Sequence, residues 1–183
     1  MKSYISDLRS SRLYFAWIAG LLLSIALILF ITSHVYVRWS IFPFAYRNVG
    51  SVYSGLWHRN TVYSGRLVKF KIICAKERMP CMKLIIARIF MIMACITSSI
   101  GVICFCIISI FKNFYKSIMY NGGFGLACLS FAFGMTGFLF GLSWVRQSDR
   151  DLIGGAAICA LVGSLFSLVS AICAFFINSK GSM

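Results

Sequence analysis

The sequence predicts a membrane all-α bundle with a small β element: four transmembrane helices plus a small antiparallel sheet formed by the first loop, which the family resemblance given below places on the extracellular side. Three observations carry this. Of the 183 residues, 60% are hydrophobic and 12% charged, against roughly 45–50% apolar and about 25% charged in soluble domains; the mean hydropathy is +0.88. Four apolar runs are each long enough to cross the ~30 Å hydrocarbon core of a bilayer. One long polar segment, Ser33 to Lys83, separates the first run from the second and holds half of the 18 Lys and Arg residues.

Residues 1–12 bring Lys2, Arg9 and Arg12 against Asp7, and the first span, residues 13–32, follows. A helix of this length rises about 30 Å. Tyr14 and Trp17 near one end, with Tyr36 and Trp39 past the other, fit the aromatic belts of the two interfaces. Ala16, Gly20 and Ser24 recur every four positions, which gives one thin face for a neighbouring helix. The length of the run and the lack of a small-residue cleavage site argue against a cleavable signal peptide.

In the loop, residues 33–83, Val35, Val37, Trp39 and Ile41 alternate with Tyr36, Arg38 and Ser40, a period of two that predicts a strand ended by Pro43. A second alternation sets Val68, Phe70 and Ile72 against Lys69 and Lys71, so one face of the sheet is expected to be apolar and the other basic. Gly50 and Gly65 fall where turns are needed.

The second span, residues 84–110, carries Arg88 one turn inside; a lone arginine there must snorkel to the headgroups or pair with a loop group. A short basic link follows with Lys112 and Lys116, so the second and third spans are antiparallel neighbours. The third span, residues 118–142, is glycine-rich, with Gly134, Gly137 and Gly141 placed for close helix packing inside the bundle, as is Gly20 of the first span. Residues 143–151 form a tight second loop. The fourth span, residues 152–177, repeats small residues at Ala156, Ala160 and Ser164.

The four acidic residues against 18 basic ones leave a formal net charge of +14. That charge must sit where the chain meets water, where it favours anionic headgroups or an anionic partner. Nucleic acid is not expected, since the basic residues flank membrane spans without a nucleic-acid motif. Six of the eight cysteines lie in apolar runs as small packing residues. Cys74 and Cys81 lie in the polar loop, where an oxidising compartment could join them or where both could stay free thiols. With two histidines and four acids outside any motif, no catalytic, cofactor or metal site is expected.

Trp39, the triplet Gly55-Leu56-Trp57 and Arg88, set between the first two of four spans, resemble the superfamily of claudins, peripheral myelin proteins and stargazin-type channel subunits. The resemblance implies a sheet of the first loop packed on the bundle through Trp57, with both termini inside and both loops outside. It implies a cysteine pair as well. Where the first family cysteine is expected, three residues after Trp57, this chain has Asn60; Cys74 can stand for the second, with Cys81 as a replacement partner. A bridge closing so short a loop contributes about 2–3 kcal/mol at most.

The implied orientation puts six basic residues inside and twelve outside, against the positive-inside preference, a rule that weakens for long loops. On this layout the chain resides in the plasma membrane and presents a cationic outer face that includes Arg66, Lys69, Lys71, Lys76 and Arg78. Two functions fit: cell–cell adhesion or organisation of junctions and membrane through that face, and service as an auxiliary subunit docking its helices on an ion channel. The partners expected are the lipid bilayer and other membrane proteins, whether further copies, a protein on an apposed cell or a channel subunit.

Overall fold

The computed structural model describes residues 2–43, 50–63, 66–72, 79–110, 116–146 and 152–179. Four long helices dominate: α1 (Lys2–Val35), α2 (Met79–Ile110), α3 (Lys116–Val145) and α4 (Gly155–Ser179). Each contains a stretch apolar and long enough to cross a membrane: Tyr14–Val35, Cys81–Ser109, Asn121–Val145 and Gly155–Phe176. They close into a ring in which α1 packs on α2 and α4, and α3 on those same two helices.

Small residues let the ring close. A methyl added at Gly20 would stand 3.2 Å from Phe105 of α2, and one at Gly137 would stand 3.0 Å from Met91. At Gly134 it would meet the Phe30 ring at 2.7 Å and Ser164 Oγ at 2.6 Å, distances no side chain tolerates. Three of the expected glycines, Gly20, Gly134 and Gly137, therefore serve packing within the bundle, while Gly141 meets the Trp39 ring that follows α1. Ala156, Ala160 and Ser164 of α4 are fully buried alongside them.

The interior is divided by depth. Phe30, Trp39, Leu56, Leu84 and Met91 form the cluster at the sheet end; Ala16, Leu23, Phe105 and Ala171 belong to the cluster at the other. Between them a layer of buried hydroxyls crosses three helices: Ser98 Oγ lies 2.6 Å from Ser130 Oγ, which lies 3.1 Å from Ser167 Oγ. Ser98 also donates to the Ala94 carbonyl at 2.7 Å and Ser167 to that of Gly163 at 3.1 Å. Three protons serve these four contacts. The shorter distance assigns the Ser130 proton to Ser98, which leaves Ser167 sharing its proton between two acceptors. Ser130→Ala is expected to cost about 0.6–1.7 kcal/mol, checked by thermal unfolding in micelles; no loss would mean that the hydroxyl contacts carry no net stability.

The sheet has five antiparallel strands in the order β4-β3-β2-β1-β5: β1 (Ser40–Pro43), β2 (Ser51–Ser54), β3 (His58–Tyr63), β4 (Arg66–Lys71) and β5 (Leu152–Ile153). It thus takes in residues 152–153, which the sequence assigned to the start of the fourth span, where a sheet from the first loop alone was expected. Leu152 pairs with Ile41 and Ile153 with Ser40, ahead of the fourth helix, which begins at Gly155. Gly50 takes the turn before β2 with φ 118°, a conformation that favours glycine. Gly65 lies outside the described residues.

The first predicted strand is corrected at its start. Val35 closes α1, residues 36–39 are irregular, and the strand begins at Ser40. The cause is a cap: the Trp39 indole N–H donates to the Ser33 carbonyl at 2.7 Å, and the Tyr36 amide to that of Thr32 at 2.9 Å. These carbonyls belong to the last turn of the helix, where no intrahelical partner exists. Helix α2 likewise starts earlier than expected, so Cys81 lies in its first turn and not in the loop.

Candidate recognition surface

Two tryptophans and an arginine fasten the sheet to the helices. Trp39 is fully buried. Its amide donates to the Ser54 carbonyl at 2.8 Å, and its own carbonyl accepts from Gly154 N–H at 2.8 Å, so its backbone is bonded towards β2 on one side and β5 on the other. Its ring presses on Gly141 of α3 so closely that any Cβ there would overlap it.

The turn Gly55-Leu56-Trp57 joins β2 to β3. Gly55 sits where a Cβ would lie 2.8 Å from the Val37 Cα, so the backbones touch only because no side chain intervenes. Leu56 is buried at 1% exposure in the cluster beneath. Trp57 lies between two helices: its indole N–H donates to His34 Nε2 of α1 at 3.0 Å, and the Arg88 guanidinium of α2 stands 4.5 Å over its ring. Arg88 Nε also donates to the Leu56 carbonyl at 2.7 Å.

Arg88 therefore pairs with a loop group, one of the two fates its position allowed. Arg88→Leu strands the Leu56 carbonyl, at about 1–3 kcal/mol, and removes a cation–π contact of about 0.5–2 kcal/mol. Faster proteolysis within residues 50–72 is the expected readout, partly restored in Arg88→Lys; wild-type proteolysis in both variants would remove Arg88 from the clamp.

Away from the clamp the sheet is open. The register places Tyr53, Asn60 and Lys69 in one cross-strand row, flanked by the pairs Val62–Leu67 and His58–Lys71. Arg38 stands 5.6 Å from the Tyr36 ring and 5.1 Å from that of Tyr53, so two aromatic faces hold its charge over this row. A recess of about 410 Å³ opens there, lined by Arg38, Tyr53, Asn60, Val62 and Leu67 among others. Asn60 Oδ1 is buried in this structure with no hydrogen-bond partner. In the described part of the sheet and its connections, the charged side chains Arg38, Arg59, Arg66, Lys69 and Lys71 face no carboxylate.

Strand β4 is one edge of the sheet and is exposed along its whole length. The expected alternation holds for Val68 and Phe70 against Lys69 and Lys71, while the start of the strand adds Arg66 to the first face and Leu67 to the second. Cations on an edge strand also guard it against indiscriminate pairing. Lys76 and Arg78 of the expected basic set lie outside the described residues. So does Cys74; Cys81 is not among the free thiols.

Among the described residues no three His, Cys, Asp or Glu side chains come together as a metal site. Sequence reasoning missed two contributors to the attachment of the sheet, His34 and β5. A histidine in the last turn of a span, with a tryptophan pair in the loop that follows, was the available signal for the first. No family model matches this chain, and no curated protein matches it. The surface stands on its geometry: a sheet bolted down by Trp39, Trp57 and Arg88, with Arg38, Lys69 and Lys71 along one face of it.

Proposed function

We propose that the protein is a non-enzymatic four-span membrane protein, similar in layout to the claudins, that acts in cell–cell adhesion or in organising junctions and membrane. In this reading the sheet stands outside the cell at the plasma membrane, both termini are cytoplasmic, and Cys74 and Cys81 form a bridge. The bonding of Cys81, which is not a free thiol, supports an oxidising setting. The observation that carries the reading is the open face of Arg38, Lys69 and Lys71 on a sheet whose anchoring side is fixed to the bundle. Fixed charge on a rigid platform selects an acidic partner surface and repels a basic one.

Expression in non-adherent cells tests it. The protein should gather at cell contacts and drive aggregation, and Lys69→Glu with Lys71→Glu should abolish aggregation at unchanged surface expression. Raised salt should weaken it too, because exposed charges are screened beyond about 8 Å at physiological ionic strength. A uniform surface signal without aggregation overturns adhesion; a pore-forming subunit co-eluting in that case would assign the chain to the channel auxiliary class.

A further inference from the structure

His34 lies in the last turn of α1 and holds the Trp57 side of the clamp through a ring that can change its charge. An indole N–H only donates, so the 3.0 Å contact between Trp57 Nε1 and His34 Nε2 makes Nε2 the acceptor. The neutral imidazole then carries its one proton on Nδ1. The two rings meet edge to face, with centroids 5.2 Å apart and planes at 79°, and the Nε2 lone pair is spent on the indole.

This corner is rich in donors and short of acceptors. His34 Nδ1 is buried without a partner, and so is Arg88 Nη2; the Leu56 carbonyl already receives Arg88 Nε at 2.7 Å. A proton added at Nε2 would set a second N–H against the indole N–H, with no unpaired acceptor among these groups to take it. It would also place a positive charge near Arg88, the charged group whose field reaches His34. Of the helices packed on α1, α2 brings Lys83 and Arg88 and no acid, and α4 has no Asp, Glu, His, Lys or Arg. The turn Gly55-Leu56-Trp57 has none either, so no carboxylate from these elements offsets the repulsion.

We propose that His34 makes the clamp a proton-operated latch: a second N–H on its imidazole expels Trp57 from α1 and loosens this side of the sheet, while Trp39 keeps the other side in place. A released imidazole takes its proton in the ordinary histidine range, near about pH 6.5. The docked state excludes that proton, so docking is fully favoured above this range and is lost as the pH falls below it. The carbonyl end of the α1 dipole favours charge on His34 in both states and leaves their difference unchanged. Between about pH 7.5 and about pH 5 the ratio of released to docked Trp57 rises by up to about thirtyfold.

The test uses the full chain in phosphatidylcholine nanodiscs, labelled with nitrogen-15 in its indole and imidazole rings. The readout is the nuclear magnetic resonance signal of the Trp57 indole N–H, identified by its loss in Trp57→Phe. On acidification the docked signal should give way to a released one with the ratio stated above. His34→Gln supplies an amide oxygen that accepts the indole N–H and takes no proton, so its Trp57 should stay docked across the whole range. His58 is the other histidine of the chain, and His58→Gln should titrate like wild type.

A Trp57 signal that stays docked down to about pH 5 overturns the proposal, as does a response that persists in His34→Gln. Should the glutamine fail to dock Trp57 at neutral pH, the wild-type ring decides: His34 Nε2 must gain its proton with the same midpoint at which Trp57 is released, and separate midpoints overturn the latch. Neither readout involves a partner or the side of the membrane on which the sheet stands, so failure of the adhesion reading leaves the result intact.

Discussion

Trp39→Ala is expected to release the sheet from an otherwise intact bundle, at a cost of about 3–5 kcal/mol for an emptied aromatic site in a packed interior. Trp39 is fully buried and belongs to the cluster that joins Phe30 of α1, Leu84 and Met91 of α2 and Leu56 of the first loop. Its indole N–H also satisfies the Ser33 carbonyl at the end of α1. Truncation opens a void and strands that carbonyl together. Circular dichroism should keep its helical signal while hydrogen exchange across residues 36–43 accelerates to near that of a free loop. Trp39→Phe separates the two effects: it fills most of the volume but cannot cap Ser33, and should lose about 1–3 kcal/mol. Slow exchange across this segment in Trp39→Ala would show that the sheet is held elsewhere.

The second large effect is expected from a methyl group. Gly154 lies so close to the Arg38 carbonyl that a Cβ would overlap the oxygen itself, and backbone stands on both sides, so neither partner can swing away. Its N–H bonds the Trp39 carbonyl at 2.8 Å, and the Ala156 N–H bonds that of Arg38 at 3.1 Å. Gly154→Ala should push β5 off β1 and break both bonds, at about 3 kcal/mol once overlap and lost hydrogen bonds are taken together. Gly155→Ala is the internal control, because nothing lies within 4 Å of its added methyl. Melting in micelles should fall sharply for the first and stay level for the second; equal melting would rule out the close approach.

The four spans were legible because apolar runs of membrane length leave few alternatives, and β4 was legible from the alternation at Val68 and Phe70. The start of β1 was not. Val35 and Val37 carry a strand-like period, yet the α1 helix continues through Val35, since its terminal carbonyls find partners in Tyr36 and in the distant Trp39 side chain. Strand β5 was invisible for another reason: two residues are too short for any periodicity, and their pairing is permitted by the missing side chain of Gly154. The clamp was half visible. Arg88 announced that it needed a partner, while the identity of that partner, the Leu56 carbonyl with the Trp57 ring, depends on folding of the loop.

The two bonds that reach across from the second loop have a mechanical consequence. Without them, force applied to the first loop would have no hydrogen-bonded path into α4. With Gly154 and Ala156 tied to the backbone ahead of β1, traction on the sheet is shared with the start of α4 and, through the Trp39 ring against Gly141, with α3. A load on the sheet therefore strains all four helices at once, so no single helix is the first to be drawn out.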